Sequence, residues 1–147
     1  MNLSKNVHFE VVMNTQAAGT GDTLSSDIID MAGYDGVIFL AVTGAVLATA
    51  VGTLTVQQDH LNGAGGMATL SGDAVTFTDV AAENSSKILF IDVYRPTKRY
   101  LRAQFQRQTA NIEVDKIIAI RYCGSSGPVT QSADVVDSAL MISPAEL

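Results

Sequence analysis

The segment Lys87–Cys123 constrains the fold more than any other part of the chain, because it has the residue pattern of β-strands throughout. Successive side chains of a strand point to opposite faces, so a period of two predicts strands rather than helices. The pattern predicts three consecutive strands, which are Ile88–Tyr94, Lys98–Arg107 and Ile112–Tyr122. Pro96 would form the first turn, since proline lacks the N–H that a ladder needs. We interpret the segment as a β-meander whose first strand is buried on most of both faces.

The same alternation assigns faces to the third strand and to a strand near the N-terminus. In the third strand it places Ile112, Val114, Ile118, Ile120 and Tyr122 on one face, and Glu113, Asp115 and Arg121 on the other. In the N-terminal strand it groups Val7, Phe9, Val11 and Met13 against His8 and Glu10. We expect the apolar group to face the core in each case.

Basic residues are concentrated in the same segment. Residues 87–122 carry eight bases and three acids, whereas residues 1–86 carry one base and nine acids. Four of the bases lie at or near the first turn: Arg95, Lys98, Arg99 and Arg102. They either solubilise a strand end or bind an acidic surface of a neighbouring subunit or partner. Candidate acids, within the subunit or across an interface, are Asp22, Asp27, Asp30 and Asp35.

An uncharged run from Gly36 to Val56 is long enough to cross a bilayer as a helix. Three glycines, four threonines and many β-branched residues favour strands instead. No Lys or Arg flanks the run, whereas an inserted helix usually has such residues on one side. We therefore expect two strands, Val37–Val42 and Val51–Gln58, and no membrane partner. The first of them would be apolar on both faces.

Further strands are predicted at Val7–Met13, Ser26–Met31 and Val75–Val80, with polar or glycine-rich turns between them. About eight strands in total, without a capped amphipathic helix, predict an all-β fold built as an antiparallel β-sandwich. Eight strands suit a jelly roll, and another Greek-key connectivity would give the same sequence pattern.

The composition changes after Cys123. Residues 124–128 have the composition of a linker, and apolar residues return from Val135 onward. We expect residues 1–123 to form the sandwich domain and residues 124–147 to form a linker and C-terminal arm. Candidate interface residues of the arm are Val135, Val136, Leu140, Met141 and Ile142. The arm either adds a last strand to its own sandwich or docks on a neighbouring subunit.

Low charge content predicts association. Charged residues make up 16% of the chain and hydrophobic residues 47%, whereas roughly 25% of residues in an average globular protein are charged. Such a surface favours burial against other subunits, and we expect a dimer or trimer. The net charge of −6 opposes nucleic-acid binding as the main task, because phosphate contacts need a positive field.

The sequence contains no catalytic or phosphate-binding motif. His8 lies in no recognisable motif, and the pair Asp59–His60 supplies two potential metal ligands without a third. The one cysteine, Cys123, rules out an internal disulfide, and we interpret it as a small buried thiol. We therefore expect no enzymatic activity, no cofactor and no metal site.

The run FIDVYRPTKRYLRAQFQRQTANIEVDKIIAIRY, with the opening MNLSKNVHF and the closing ISPAEL, resembles small head decoration or capsid cement proteins of tailed phages and prophages. The resemblance spans most of the chain and is anchored on the pattern D-V-Y-R-P-x-x-R-Y at Asp92–Tyr100. This motif is a packing and turn signature without chemistry. The resemblance implies a β-sandwich, often a jelly roll, that oligomerises on the outside of a phage head.

Two hypotheses of function follow. The first is a structural virion protein that binds the lattice of the major capsid protein and bridges its subunits, located on the capsid surface after assembly in the host cytoplasm. The second is a β-sandwich module of a phage tail or fibre that binds carbohydrate or a receptor. Sugar sites usually use exposed aromatic side chains, whereas this chain has no Trp and most of its Phe and Tyr occupy strand positions that look buried. The sequence therefore favours the structural role.

Overall fold

The computed structural model describes residues 2–72, 74–124 and 128–140. These residues form eleven strands and two short helical turns, α1 (Leu3–Asn6) and a 3-10 turn at Ala64–Gly66. The strands are β1 (Val7–Met13), β2 (Gln16–Gly19), β3 (Asp22–Ser25), β4 (Ile29–Asp30), β5 (Gly36–Val46), β6 (Val51–Asp59), β7 (Ala68–Thr69), β8 (Val75–Thr78), β9 (Ile88–Tyr94), β10 (Tyr100–Gln108) and β11 (Ile112–Tyr122). The prediction of an all-β fold is confirmed.

The strands form two antiparallel sheets packed as a sandwich. Sheet 1 has the order β1-β11-β5-β9, with β2 also paired to β11; sheet 2 has the order β3-β10-β6-β7, with β4 also on β10 and β8 also on β6. β1 and β2 both pair with β11, β3 and β4 both pair with β10, and β7 and β8 both pair with β6. Each of these three pairs fills one strand position, so the eleven strands occupy eight positions. Numbered along the chain, these positions run 1-8-3-6 in sheet 1 and 2-7-4-5 in sheet 2, which is the connectivity of a jelly roll.

The β-meander predicted for Lys87–Cys123 is wrong. β9 and β11 lie in sheet 1 and are separated by β5, while β10 lies in sheet 2 between β3 and β6. Arg95 begins the crossing between the sheets with a φ of 51°, and its N–H donates to the carbonyl of Asp35 at 2.7 Å. A period of two identifies a strand but carries no information about its neighbours, so the sequence could not reveal the crossing.

The uncharged run Gly36–Val56 forms β5 and the start of β6. The inward side chains of β5 include Val37, Phe39 and Ala41, which are fully buried in the core with Leu54 and Phe105. β5 continues to Val46, four residues beyond the predicted end, because β11 pairs with it there through Val114 to Thr43 and Ile112 to Val46. Over the described ranges, no helix has both the length and the apolar character to cross a membrane.

Two β-bulges overturn the predicted faces of β1 and β11. In β11 the register shifts between Val114 and Lys116, and beyond it Ile117 and Ala119 are fully buried while Ile118 and Ile120 point outward. In β1 a similar shift follows Val11, so that Met13 is buried beside Val12, whereas Phe9 and Val11, before the shift, are partly exposed. An extra residue at a bulge exchanges the two faces of the rest of the strand.

One arginine is buried at an end of the sandwich. The Arg107 Nε and Nη2 atoms donate to the Asp22 carboxylate at 2.7 and 2.5 Å, and its Nη1 atom donates to the carbonyls of Ala17 and Ile112 at 2.6 and 2.9 Å. These bonds lower the pKa of Asp22. Because a buried charge is costly unless it is paired and hydrogen-bonded, this network fixes the junction of β2, β3, β10 and β11.

Cys123 is exposed, so the prediction of a buried thiol is wrong. The residue follows the last outward position of β11 and has a φ of 53°. The chain turns away from the sheet there, which leaves the thiol outside the core.

Candidate assembly surfaces

The outward side of sheet 1 is apolar across all four of its main strands. Cross-strand pairing aligns Val11, Ile118, Leu40 and Phe90 in one row, and Phe9, Ile120 and Ile38 in the next. We call this surface the apolar face; its members are Phe9, Val11, Ile38, Leu40, Val42, Ile88, Phe90, Ile118 and Ile120. Each is partly or fully exposed, while its neighbours along the strand are mostly buried in the core.

The exposed part of the apolar face corrects the prediction that β9 is buried on both faces. Leu89 of β9 is buried, but Ile88 and Phe90 are 60% and 56% exposed, and Tyr94 is 60% exposed. β9 is the edge strand of sheet 1 and has outward neighbours on one side only. An exposed edge strand with large apolar side chains is a candidate interaction surface.

The outward side of sheet 2 has the opposite character. We call it the polar face; its members are Thr23, Ser25, Thr53, Thr55, Gln57, Thr76, Arg102, Gln104 and Gln106. These side chains bond to one another across strands, as in Thr53 to Thr76 at 3.0 Å and Gln104 to Ser25 at 3.0 Å. A face that satisfies its own polar groups and keeps the rest in water needs no covering partner.

A tyrosine and an aspartate form the polar corner of the apolar face. The Tyr122 hydroxyl donates to the Asp92 carboxylate at 2.6 Å. The Tyr122 ring lies over Gly36, where a Cβ atom would come within 2.3 Å of the ring. Burial and the bond to Asp92 raise the pKa of Tyr122 above its ordinary value of 10.0. Because Gly36 of β5 has no side chain, the Tyr122 side chain of β11 can pass over it and bond to Asp92 of β9. Asp92, the one charged residue of β9, thereby has a hydrogen-bond donor.

The four predicted basic residues do not form a single patch. Arg95, Lys98 and Arg99 line one shallow cleft of about 380 Å³ at the crossing between the sheets. Arg102 lies apart on the polar face, where its Nε atom donates to Gln57 at 2.8 Å. The sequence correctly grouped the first three, because they flank the turn at Pro96. It missed that β9 and β10 belong to different sheets.

Asp30 offsets part of this charge within the subunit. The Arg99 Nε and Nη2 atoms donate to the two Asp30 carboxylate oxygens, each at 2.8 Å. This pair lowers the pKa of Asp30 and raises that of Arg99. Arg95 lies over the ring of Tyr94, with 5.1 Å from Cζ to the ring centroid. Among the described contacts, neither Lys98 nor Arg95 forms an ion pair, so both can meet an acidic partner, and Arg95 also contacts the Tyr94 ring.

The first part of the C-terminal arm covers the edge of β1. The Gln131 side chain accepts from Phe9 N–H at 3.0 Å and donates to the Val7 carbonyl at 2.6 Å. Ser132 donates to the Phe9 carbonyl at 2.8 Å, and Asp134 accepts from Val11 N–H at 2.9 Å. Side chains, not a backbone ladder, therefore complete this edge of sheet 1.

The second part of the arm contacts little. Val135 is partly buried by a turn in which its N–H donates to the Ser132 carbonyl at 3.1 Å. Val136 and Leu140 are 97% and 42% exposed. Met141 and Ile142, the other two candidate interface residues of the arm, lie outside the described residues.

Side chains that could hold a metal ion are dispersed. Within the part of the chain that the structure describes, no three His, Cys, Asp or Glu residues form a cluster suited to a metal. The ring Nδ1 atom of His8 bonds to the Thr130 carbonyl at 2.8 Å, and Asp59 accepts from the N–H of His60 at 2.6 Å. The ring of His8 is therefore engaged in a structural bond, whereas His60 uses its backbone N–H.

The sequence matches no family model and no curated protein. A solved chain described as Desmodium yellow mottle tymovirus is similar in structure, with a TM-score of 0.33 and 12% sequence identity. The match covers 86% of this chain and 89% of that chain. A likeness at this TM-score does not indicate a function for this chain.

Proposed function

We propose that this protein is a structural virion protein that decorates the head of a tailed phage, and that its apolar face binds the lattice of the major capsid protein. The observation that carries the proposal is the continuous apolar surface across β1, β11, β5 and β9. Large contiguous apolar patches on the surface of soluble proteins usually mark sites where a partner binds. The resemblance of Asp92–Tyr100 to head decoration proteins supplies the identity of that partner.

The position of the resembling motif supports this assignment. Asp92 and Tyr94 begin the motif on the outward side of β9, and Arg95 and Lys98 continue it into the basic cleft. The motif thus connects the apolar face with the basic cleft. Apolar contacts would supply most of the binding free energy, while Lys98 would meet an acidic group of the capsid and orient the protein.

Bridging is the second part of the proposal. A decoration protein that self-associates covers several capsid subunits at once, which raises the overall affinity without new contacts. The low charge content, the exposed β9 edge and the exposed end of the arm support self-association. We propose no catalytic role for the protein.

Head binding by matched variants tests the proposal. Heads would be isolated from phage in which the gene is disrupted, and the full-length protein added back and measured by cosedimentation. Leu40→Glu and Ile118→Glu place a charge on the apolar face, and we expect each to reduce head affinity at least about tenfold, or 1.4 kcal/mol. Gln104→Glu and Gln106→Glu place the same charge on the polar face and should bind as the unmodified protein does.

Two outcomes would overturn this assignment. Heads that take up none of the protein would refute the decoration role. If heads bind Leu40→Glu as tightly as Gln104→Glu, the apolar face is not the surface that contacts the capsid. Circular dichroism of each variant shows that the fold is intact before binding is compared.

A carbohydrate- or receptor-binding module is the second candidate, and one observation favours it. Phe90 and Tyr94 are exposed, contrary to the sequence-based expectation that most aromatic residues lie buried, and Arg95 lies over the Tyr94 ring. Exposed aromatic rings beside a charged group can stack on a sugar. Specific binding on a glycan array that Tyr94→Ala abolishes, together with no binding to heads, would establish this function instead.

A further inference from the structure

The two long sides of the sandwich differ in how they are closed. On one side, β1 of sheet 1 is covered by arm residues 131–134 of the same chain. On the other side, a groove of about 710 Å³ runs between β9 of sheet 1 and the strand positions of β7 and β8 in sheet 2. The groove is lined by apolar side chains of both sheets, including Val56, Leu70, Ile91 and Val93. Part of the core is therefore accessible from this side.

β9 also has an unused backbone edge. Its ladder partner among the described strands is β5, through seven consecutive residue pairs from Ile88 to Tyr94. The opposite edge presents N–H and carbonyl groups that an added strand could pair with. Natural edge strands are usually protected by Lys, Pro or a bulge, and the one charged side chain within β9, Asp92, is bonded to Tyr122 instead. The edge is thus suited to accept a strand.

The exposed end of the arm has the properties of such a strand. Alternate residues 136, 138, 140 and 142 are Val, Ser, Leu and Ile, which gives one mostly apolar face. Val136 is 97% exposed and so covers almost no surface of its own chain, and Leu140 is 42% exposed. Thirteen residues follow Asp134, and at about 3.3 Å each they extend to roughly 43 Å, which is enough to reach a neighbouring molecule.

The charges of the two elements are complementary. Residues 136–142 carry one acid, Asp137, and no base, and Glu146 follows them in the sequence. Lys87 precedes β9, Arg95 ends it and lines the groove, and Lys98 lies in the next loop. A strand that carries Asp137 and lies along β9 would therefore have basic groups near it.

We propose that the groove beside β9 receives residues 136–142 of a second copy of this chain, which add a strand to sheet 1. A second copy is the occupant because the arm leaves its own sandwich along β1, on the side of sheet 1 opposite to β9. A donor on one side and an acceptor on the other form a head-to-tail contact, which closes into a ring such as a trimer. This inference rests on the proposed function, since it supplies the self-association with which the protein bridges capsid subunits.

Cysteine cross-linking of the full-length protein in solution tests the occupant. In a Cys123→Ser background, Leu140→Cys is combined with Leu70→Cys in the groove, or with Gln106→Cys on the polar face as a matched control. We expect oxidation to give covalently linked multimers for the groove pair and none for the control. A linked monomer would show that the chain's own arm fills the groove, and equal linkage in both pairs would show random collision; either result overturns the proposal.

Charge substitution in the arm provides an independent measurement. Val136→Asp with Leu140→Asp should convert the oligomer to a monomer in light scattering at a concentration where the unmodified protein is fully associated. Ala133→Asp, which lies in the arm before the proposed strand, should leave the oligomer unchanged. An oligomer that survives the double substitution, or an unmodified protein that is monomeric at high concentration, would refute the strand exchange.

Head binding distinguishes this proposal from the proposed function. Both measurements above use the protein without heads. A protein that decorates heads as a monomer would refute the strand exchange and leave the decoration role intact. A ring that forms through the arm but binds no head would support the strand exchange and refute the decoration role.

Discussion

The two outer faces of the sandwich are built on the same core but prepared for different surroundings. On the polar face, outward Thr, Ser and Gln side chains bond across strands, as in Thr53 to Thr76. On the apolar face, outward Leu, Ile and Phe side chains form continuous rows, with the bond from Tyr122 to Asp92 at one corner. The comparison teaches that alternation identifies the buried face of a sheet only when the other face is polar. Where both faces are apolar, the sequence pattern alone does not show which one packs in the core.

The largest expected effect is the difference in stability between two phenylalanine substitutions, one in the core and one on the apolar face. Phe39 is fully buried in β5, whereas Phe90 is 56% exposed on β9. Phe39→Ala should reduce the free energy of unfolding by about 3–5 kcal/mol, because it removes buried contacts and leaves a cavity. Phe90→Ala should cost the isolated subunit much less but weaken head binding. Urea unfolding and cosedimentation measure the two effects, and equal loss of stability in both variants would show that Phe90 belongs to the core.

A methyl group at Gly36 should disturb the apolar face from within. The Cβ atom of Gly36→Ala would lie 2.3 Å from the Tyr122 ring, so the ring must move away from Asp92. Overpacking of this kind typically costs about 1–3 kcal/mol. Gly63→Ala is the control, since no atom lies within 4 Å of its Cβ position. Thermal unfolding compares the two variants, and equal melting temperatures would show that the Tyr122 ring adapts without cost.

Acid should weaken two ion pairs within the subunit, Asp22 with Arg107 and Asp30 with Arg99. The pKa values of Asp22 and Asp30 are lowered from 3.8, chiefly by hydrogen bonds from Arg107 and Arg99. A carboxyl whose pKa is lowered by folding stabilises the protein above its ordinary pKa, and this contribution is lost as the pH falls through the folded value. The free energy of unfolding should therefore fall below about pH 4. Asp22→Asn should reduce this pH dependence and Asp137→Asn should not; parallel curves for all three proteins would contradict the assignment.

The smallest effect is expected from the basic cleft beside the apolar face. Lys98→Glu leaves the internal pairs intact, whereas Arg99→Glu would place two carboxylates together at Asp30. An exposed pair contributes about 0–1 kcal/mol, so head affinity should fall by less than about tenfold. Binding of the unmodified protein should weaken as salt rises. Lys5→Glu is the control, and binding that is insensitive to both Lys98→Glu and salt would show that the cleft is only a solvated strand end.

The candidate site was partly predictable from the sequence. The pattern of β5 indicated a strand that is apolar on both faces, which pointed to a covered outer surface, and Pro96 correctly grouped Arg95, Lys98 and Arg99. Phe90 was not recognised as exposed, because an apolar strand in the middle of a sheet and one at its edge have the same residue pattern. The cover that arm residues 131–134 provide for β1 was also hidden, since it depends on side-chain bonds between residues more than 120 positions apart.

The sequence by itself determined that the chain forms strands, where most of them lie and that one of them is apolar on both sides. Period-two patterns and turn residues suffice for this, because strand geometry and turn geometry are local properties. Only the tertiary structure decided that β9, β10 and β11 alternate between sheets, that bulges in β1 and β11 exchange their faces, and which edge remains open. These features depend on which distant residues cover a strand, and the two faces and two edges of a strand are equivalent until another part of the chain packs against one of them.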